Sequence, residues 1–225
     1  MIRRDYILRM IEAFAQALAR MRSLKTEQRW DEARETLQNE FQRMLGVTPE
    51  ALVRFSETEL LACLIKTEST LAVREKTLML SALLKEAGDL AVVQNRSEEG
   101  RTLYLKGLHL LLDALGQNEP SEVIAFVPQV EVFVSALEDA PLPMQTYGLL
   151  MQHFERTLQF GKAEDALFSL LELETENSAV LEFGISFYQR LQSYSDAQLE
   201  EGNLPRSEVL SGLAELRQRL STQPA

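Results

Sequence analysis

The side chains best suited to chemistry are few and widely separated. The sequence has one cysteine, Cys63, and two histidines, His109 and His153, and none has a neighbour at a spacing typical of metal sites. On a helix, His109 and Asp113 would share a face, where a proton-transfer pair begins. No nucleophile accompanies them, and the leucines of GLHLLLDAL place His109 on the outer, solvated face. The sequence therefore predicts neither a metal site nor a catalytic site.

Other candidate binding residues have structural explanations. The chain lacks a glycine-rich phosphate loop, so nucleotide binding would have no backbone cradle. Trp30 lies at a large-residue position just before Ala33, and we expect it to pack in the core. Acidic pairs such as Glu164 and Asp165 suit the positive end of a helix dipole. We therefore expect a protein that is not an enzyme and binds no cofactor.

Composition favours helices, because Gly (10) and Pro (7) are scarce in 225 residues while Leu, Ala, Glu, Gln and Arg are abundant. A hydrophobic content of 45% is enough for a substantial core. No apolar run reaches the ~18 residues needed to cross a bilayer, and Arg9 and Glu12 interrupt the first apolar stretch. A single cysteine fits a reducing cytoplasm. These features predict an all-α, cytoplasmic protein without a transmembrane segment.

The net charge of −11 is unevenly distributed along the chain. Residues 1–26 carry six basic and two acidic side chains, so their local charge is +4. The acidic remainder repels phosphate backbones, which predicts that nucleic acid is not a partner. The first segment also has an apolar stripe at helical spacing: Ile2, Tyr6, Met10, Phe14, Ala17, Leu18 and Met21. We expect this stripe to pack on the next helix; contact with an anionic membrane and oligomerisation are the alternatives.

Small residues recur at long, regular intervals. In each of three segments a small residue precedes a large one by four positions: Ala33 and Leu37, Gly100 and Tyr104, Ala166 and Leu170. The small residues are 67 and then 66 positions apart. This is close to twice the ~34-residue period of a helix pair, which indicates a repeating unit with a third helix.

Capping residues, prolines and glycines mark the ends of the expected helices. They support repeat units at about 1–68, 69–140 and 141–220, followed by a frayed tail at 221–225. Ser56 and Glu59 predict a capping box, and Pro128 should bend or split its helix. We treat 138–145 as a joint between units. Expected helices cover 5–24, 28–45, 56–67, 71–94, 97–115, 121–139, 143–160, 162–175, 177–194 and 205–220, with a turn near 195–201.

Two of these segments resemble the tetratricopeptide-repeat (TPR) family. The resemblance lies in the residues around Gly88, Gly100 and Tyr104, and around Gly161, Ala163, Ala166 and Leu170. Residues 1 to about 115 also resemble a bacterial family of uncharacterised TPR-like proteins, through RDYILRMIEAFAQALARM, FSETELLACL and LLKEAGDLAVVQN. The resemblance implies a single domain over 1–220, a TPR-like α-α superhelix of about nine to ten antiparallel helices. It implies use in protein binding and supplies no catalytic residues.

In TPR proteins the first helix of each pair lines a concave groove. The resemblance implies three residues on each such helix, one for each repeat unit: Leu18, Arg22 and Lys25; Lys85, Asp89 and Val92; Met151, Glu155 and Gln159. The leading hypothesis is that a protein or peptide binds along this groove. The alternative is a structural homo-oligomer, such as a homodimer, built through the first helix or through the last helix and its leucines: Leu210, Leu213, Leu216 and Leu220.

Overall fold

The computed structural model describes residues 2–67, 70–116, 126–174 and 177–222. All regular secondary structure in these ranges is helical, which confirms the all-α prediction. The helices are α1 (Ile2–Thr26), α2 (Trp30–Leu45), α3 (Pro49–Leu52), α4 (Glu57–Thr67), α5 (Thr70–Val93), α6 (Ser97–Gly116), α7 (Val130–Ala136), α8 (Met144–Arg156), α9 (Phe160–Leu173), α10 (Ser178–Leu191), α11 (Asp196–Glu201) and α12 (Arg206–Thr222).

The helices that the sequence predicted are present, with two short additions. The one-turn α3 forms where no helix was expected, and α11 forms where a turn was expected, so the described residues hold more helical segments than the predicted nine to ten. Within these same residues, no helix combines the length and the apolar character that crossing a bilayer requires.

Local hydrogen bonds explain where several helices begin. The predicted capping box is present before α4: the Ser56 backbone N–H donates to Glu59 Oε2 at 2.7 Å, and the Glu59 N–H donates to Ser56 Oγ at 3.3 Å. Ser195 and Gln198 form a second capping box at α11. Asn177 caps α10 by accepting from the Ala179 N–H at 3.1 Å. These caps satisfy backbone donors that have no partner inside the helix.

One of the predicted helices is much shorter than expected. The sequence predicted a helix over 121–139, but residues 126–129 are not helical and α7 begins only at Val130. Pro128 explains the correction, because it has no backbone N–H to donate and disfavours helical geometry in the residue before it. Residues 121–125 lie outside the described residues, as do residues 223–225 of the predicted tail.

Three helical hairpins share the same turn. A residue with left-handed backbone geometry follows the first helix in each: Gln28 after α1, Asn95 after α5 and Leu158 after α8, at φ values of 60°, 60° and 59°. The next backbone N–H then donates to the carbonyl five residues earlier, as from Arg29 to Leu24 at 2.9 Å. The hairpins α1–α2, α5–α6 and α8–α9 are therefore built alike.

The shared turn places the small residue of the third hairpin one helical turn earlier than the sequence predicted. The small residue lies five positions after the left-handed residue in each hairpin, at Ala33, Gly100 and Ala163. The sequence pattern alone favours Ala166 for the third position. Ala163 and Ala166 are one helical turn apart and both buried, so a pattern of small residues does not distinguish them.

Close helix contact in the α5–α6 hairpin depends on glycine. A Cβ at Gly88 would lie 2.4 Å from Tyr104 Cε1, and a Cβ at Gly107 would lie 3.3 Å from Leu84 Cβ and 2.6 Å from Phe133 Cε1. A Cβ at either position would force the contacting side chains to move. This confirms the expectation that small residues lie where these helices cross.

The chain divides into two compact units, Met1–Pro141 and Leu142–Ala225, which we call the N-terminal and C-terminal units. The core of the N-terminal unit includes the fully buried Phe14, Met21 and Phe41. Trp30 is partly buried against that core. Phe160, Phe187 and Tyr188 are fully buried in the C-terminal unit. The single domain over 1–220 and its three repeat units stay predictions.

Candidate functional site

A row of alternating charges joins the end of α1 to the middle of α5. Arg22 Nε is 2.8 Å from Glu86 Oε1. Lys25 Nζ forms ion pairs with Glu86 Oε2 and Asp89 Oδ2, each at 2.5 Å. Lys85 Nζ closes the row at 2.8 Å from Asp89 Oδ2. The order is Arg22, Glu86, Lys25, Asp89, Lys85, which we call the charge row. Both of its ends are cations.

Helical spacing explains how these side chains meet. Arg22 and Lys25 are three residues apart on α1, and Asp89 lies three residues after Glu86 and four after Lys85 on α5, so each set shares one helix face. The Glu86 side chain is only 2% exposed. Removing a carboxylate from water costs several kcal/mol, and two cations at bonding distance offset that cost.

Asp89 has a third partner on α6. The Tyr104 hydroxyl donates to Asp89 Oδ1 at 2.9 Å. Burial alone would raise the pKa of Asp89, but hydrogen bonds from Lys25 and Lys85 and their positive charges hold it below its ordinary value. Burial and the adjacent Asp89 charge both raise the pKa of Tyr104. At neutral pH the carboxylate is therefore ionised and the phenol remains a donor.

A cleft of about 390 Å³ lies beside the charge row in the N-terminal unit. Its polar side has three cations, Arg22, Lys25 and Lys85, together with Thr26 and the carboxylate of Glu86, and the rest of its lining is 126–128 and Val132. The Phe126 ring anchors that second side by packing on Phe14, with ring centroids 4.9 Å apart. The cleft therefore presents a basic surface opposite an apolar one.

The charge row leaves donors available in the cleft. It contains three cations and two carboxylates, so its net charge is +1. Arg22 bonds Glu86 through Nε, its side chain is 46% exposed, and its two terminal nitrogens have no partner among the described residues. The two terminal nitrogens of Arg22 could therefore donate to an anionic group in the cleft, while its Nε stays paired with Glu86.

The model of one protein family, described as a family of unknown function and named DUF6483, matches residues 1–221. The chain belongs to DUF6483. No curated protein and no solved structure matches it.

In this DUF6483 chain, the predicted groove residues of the first two repeat units have different environments. Arg22, Lys25 and Lys85 line the cleft, and Asp89 lies behind them in the charge row. The prediction that Leu18 lines the groove is wrong. Leu18 is 1% exposed and part of the core, so it is not accessible to a partner. Its place in the apolar stripe of α1 explains why. Val92 is 43% exposed and lies on α5 facing Gly100.

Of the three predicted groove residues of the C-terminal unit, Gln159 lines a cleft of about 360 Å³ whose charged lining is mainly acidic: Lys162, Glu164, Asp165, Glu201 and Glu208. Met151 is fully buried, so it too belongs to the core. Glu155 accepts two hydrogen bonds from Arg190, at 2.6 and 2.8 Å, and these neutralise its charge. Gln159 precedes α9 and donates to Thr157 Oγ1 at 3.0 Å.

Sequence reasoning missed two kinds of residue at the site. Glu86 belongs to the charge row, and Tyr104 donates to Asp89 from α6. A signal for Glu86 was present, because it lies three residues before Asp89 on the same face of α5. The apolar side, from Phe126 to Val132, was assigned to a helix and so was not considered as a cleft wall. The sequence did predict that Pro128 bends or splits this helix, but not that residues 126–128 line a cleft.

His109 is not the solvated side chain that the sequence predicted. Its side chain is 16% exposed, and Nδ1 lies 2.8 Å from Glu57 Oε1 at the start of α4. Burial alone would raise the pKa of Glu57, but hydrogen bonds from its own backbone N–H and from His109 lower it overall. The described residues contain no group of three or more His, Cys, Asp or Glu side chains placed to hold a metal ion.

Two of the four leucines proposed for oligomerisation are buried. Leu213 and Leu216 of α12 are 3% and 2% exposed, and Leu216 Cδ1 packs where a Cβ on Gly184 of α10 would be. The prediction that these two leucines pair with a second copy is therefore corrected, because both are already buried within the chain. Leu210 is 50% exposed and Leu220 is partly exposed.

Proposed function

We propose that this DUF6483 protein is a non-enzymatic, TPR-like interaction module of the cytoplasm, and that it binds a protein or peptide in the cleft beside the charge row. The observation that carries the proposal is the composition of the cleft, with Arg22, Lys25 and Lys85 on one side and apolar groups on the other. An extended segment with acidic side chains next to apolar ones fits these two surfaces.

The two surfaces would have different roles. Burial of apolar side chains against Phe126, Val127 and Val132 would supply most of the affinity, at about 25 cal/mol for each Å² removed from water. Arg22 and Lys85 would set register and select against basic partners, because charges at an interface contribute more to specificity than to affinity.

The TPR-like arrangement of the helices is part of the proposal. It is supported by the three hairpins that share one turn geometry and by small residues at matching positions in them, Ala33, Gly100 and Ala163. A stack of such hairpins would present the first helix of each pair on one concave surface. The cleft lies against two of these first helices, α1 and α5.

A display library of random peptides, selected on the purified protein, tests the proposal. Selected peptides should combine Asp or Glu with apolar residues. The double variant Arg22→Gln/Lys85→Gln should weaken their binding about tenfold or more, measured by fluorescence anisotropy. These two residues lie at the ends of the charge row, so Lys25 still contacts both Glu86 and Asp89. Circular dichroism checks that the double variant is folded.

Two further variants make the test specific. Val132→Asp adds a repulsive charge to the apolar side at a residue that is already 40% exposed, and it should also weaken binding. Arg20→Gln/Arg34→Gln removes the same charge outside the cleft and should leave affinity unchanged. Selection of no peptide, or equal binding by all variants, would contradict the proposal.

A further inference from the structure

A second and larger cleft, of about 600 Å³, lies at the other end of α1. It is formed by the first half of α1, the last turn of α2 and the first half of α5. The residues that line it are Tyr6, Arg9, Met10, Ala13, Gln42, Arg43, Met44, Leu45, Gly46, Lys76 and Met79. Its volume is in the range of sites that hold small molecules. It has no residue in common with the cleft beside the charge row.

The apolar part of this second cleft is built mainly from methionine. Met10 is partly buried, while Met44 and Met79 are 6% and 1% exposed, and each comes from a different helix. Methionine side chains are unbranched and adaptable, so they can follow the shape of a flexible apolar ligand. Their thioether sulfurs are only weak acceptors and would leave the amide groups of a peptide without partners. An alkyl chain needs no such partners.

The polar part of the second cleft is basic. Arg9, Arg43 and Lys76 line it, and no carboxylate lies among its described lining residues. Lys76 is only 9% exposed, so most of this residue is buried. Arg43 also pairs with Glu40, outside the lining, at 2.5 Å. Residues 1–13, which include the half of α1 that forms this cleft, carry three basic and two acidic side chains, so their local charge is +1 in a chain of net charge −11.

We propose that this second cleft binds one monomeric amphiphile with an anionic headgroup and a single unbranched alkyl chain, such as a long-chain carboxylate. The headgroup lies among Arg9, Arg43 and Lys76, and the chain lies over the three methionines. Charge complementarity favours an anionic headgroup over a cationic one. The apolar surface of the three methionines favours an amphiphile over a small polar anion such as inorganic phosphate.

Fluorescence titration with dansylaminoundecanoate tests this binding, at concentrations below those at which the amphiphile forms micelles. The expected result is saturable one-to-one binding that unlabelled palmitate displaces. Hexadecyltrimethylammonium, which has a tail of similar length and the opposite charge, should displace the probe at least about tenfold less well. Inorganic phosphate should not displace it.

Substitutions at the lining residues test whether the probe binds in this cleft. Arg9→Gln/Arg43→Gln changes two exposed cations and should raise the Kd for the probe about tenfold. Ala13→Trp places a large ring in the cleft from an exposed position on α1 and should abolish binding. The matched control Arg20→Gln/Arg34→Gln should bind like the parent, and so should Arg22→Gln/Lys85→Gln, which separates this result from the peptide-binding test. Circular dichroism checks that each variant is folded.

Three results of the binding measurements would overturn the proposal. These are no saturable binding of the probe, equal displacement by the cationic amphiphile, and a Kd that is unchanged in folded Arg9→Gln/Arg43→Gln. Association with phosphatidylglycerol vesicles in the absence of monomer binding would also overturn it, because the basic end of α1 would then be a membrane-contacting surface instead of a ligand site.

Discussion

Asp89 is the most constrained side chain of the charge row, since it accepts hydrogen bonds from Lys25, Lys85 and Tyr104 at once. Its side chain is 21% exposed, so these bonds are partly shielded from water. Hydrogen bonds to a charged group typically contribute about 1.5–3 kcal/mol to stability. The contribution depends on ionisation, which makes it measurable through pH.

We expect Asp89→Asn to lower the free energy of unfolding by about 2 kcal/mol at neutral pH, measured by urea denaturation. Because the native pKa of Asp89 is lowered, its stabilisation is present above the unfolded pKa of about 3.9 and is lost as pH falls through the native pKa. The difference between parent and variant should therefore shrink in acid. Asp31→Asn, at a side chain that is 94% exposed, is the control and should change stability by less than about 0.5 kcal/mol.

Leu158 has left-handed backbone geometry, which L-amino acids other than Gly, Asn and Asp adopt at a cost of roughly 1–2 kcal/mol. Its side chain is 45% exposed, so little packing would be lost on replacement. We expect Leu158→Asn to raise the free energy of unfolding by about 0.5–1 kcal/mol, measured by thermal and urea denaturation. The reciprocal change Asn95→Leu, at the matching turn of the α5–α6 hairpin, should lower it. Equal effects in the same direction would contradict this reasoning.

At the scale of the elements, helices with clear end signals were predictable from the sequence. Capping residues Ser56 and Asn177 marked helix starts, and the predicted helices end close to those observed. Two kinds of error remained. Two alanines one turn apart, Ala163 and Ala166, gave an ambiguous register, and Pro128 was allowed inside a helix that in fact begins after it.

The candidate site was predictable only in part, and for a physical reason. Sequence spacing shows which residues share a helix face, but not which face meets a neighbour and which meets a cleft. Arg22, Lys25 and Lys85 reach the cleft, whereas Leu18 and Met151 point into the core. The pairing of Lys25 with Glu86 joins residues 61 positions apart, and spacing within one helix does not show such a contact.

The α5–α6 hairpin provides a test at the element scale. Gly88→Ala should lower the free energy of unfolding by about 1–2 kcal/mol, because the clash of its Cβ with the Tyr104 ring exceeds the gain in helix propensity. Gly148→Ala is the matched control: it lies inside α8 with nothing within 4 Å of its Cβ position, and it should stabilise by about 0.5–1 kcal/mol. Denaturation in urea measures both.

A double-mutant cycle identifies the cause. If the clash with Tyr104 is responsible, then Gly88→Ala should cost less in a Tyr104→Ala background than in the parent. An additive cycle would show instead that the loss arises elsewhere in the helix.

At the scale of the whole molecule, the net charge of −11 disfavours the compact state through self-repulsion. Raising NaCl from about 0.01 M to about 0.1 M shortens the screening length from roughly 30 Å to 10 Å. We expect the free energy of unfolding to rise by about 0.5 kcal/mol over this range, because exposed ion pairs contribute little and the net repulsion is what salt screens. Urea midpoints at several NaCl concentrations measure this, and a steady fall with salt would contradict it.

The alternation of sign in the charge row also limits how DUF6483 sequences can diverge. Loss of Lys25 alone would leave two carboxylates, Glu86 and Asp89, without their shared cation, and reversal of either acid alone would place like charges in contact. Tolerated replacements at positions 25, 86 and 89 should therefore occur as compensating pairs, so that these positions co-vary among family members while the two end cations change independently.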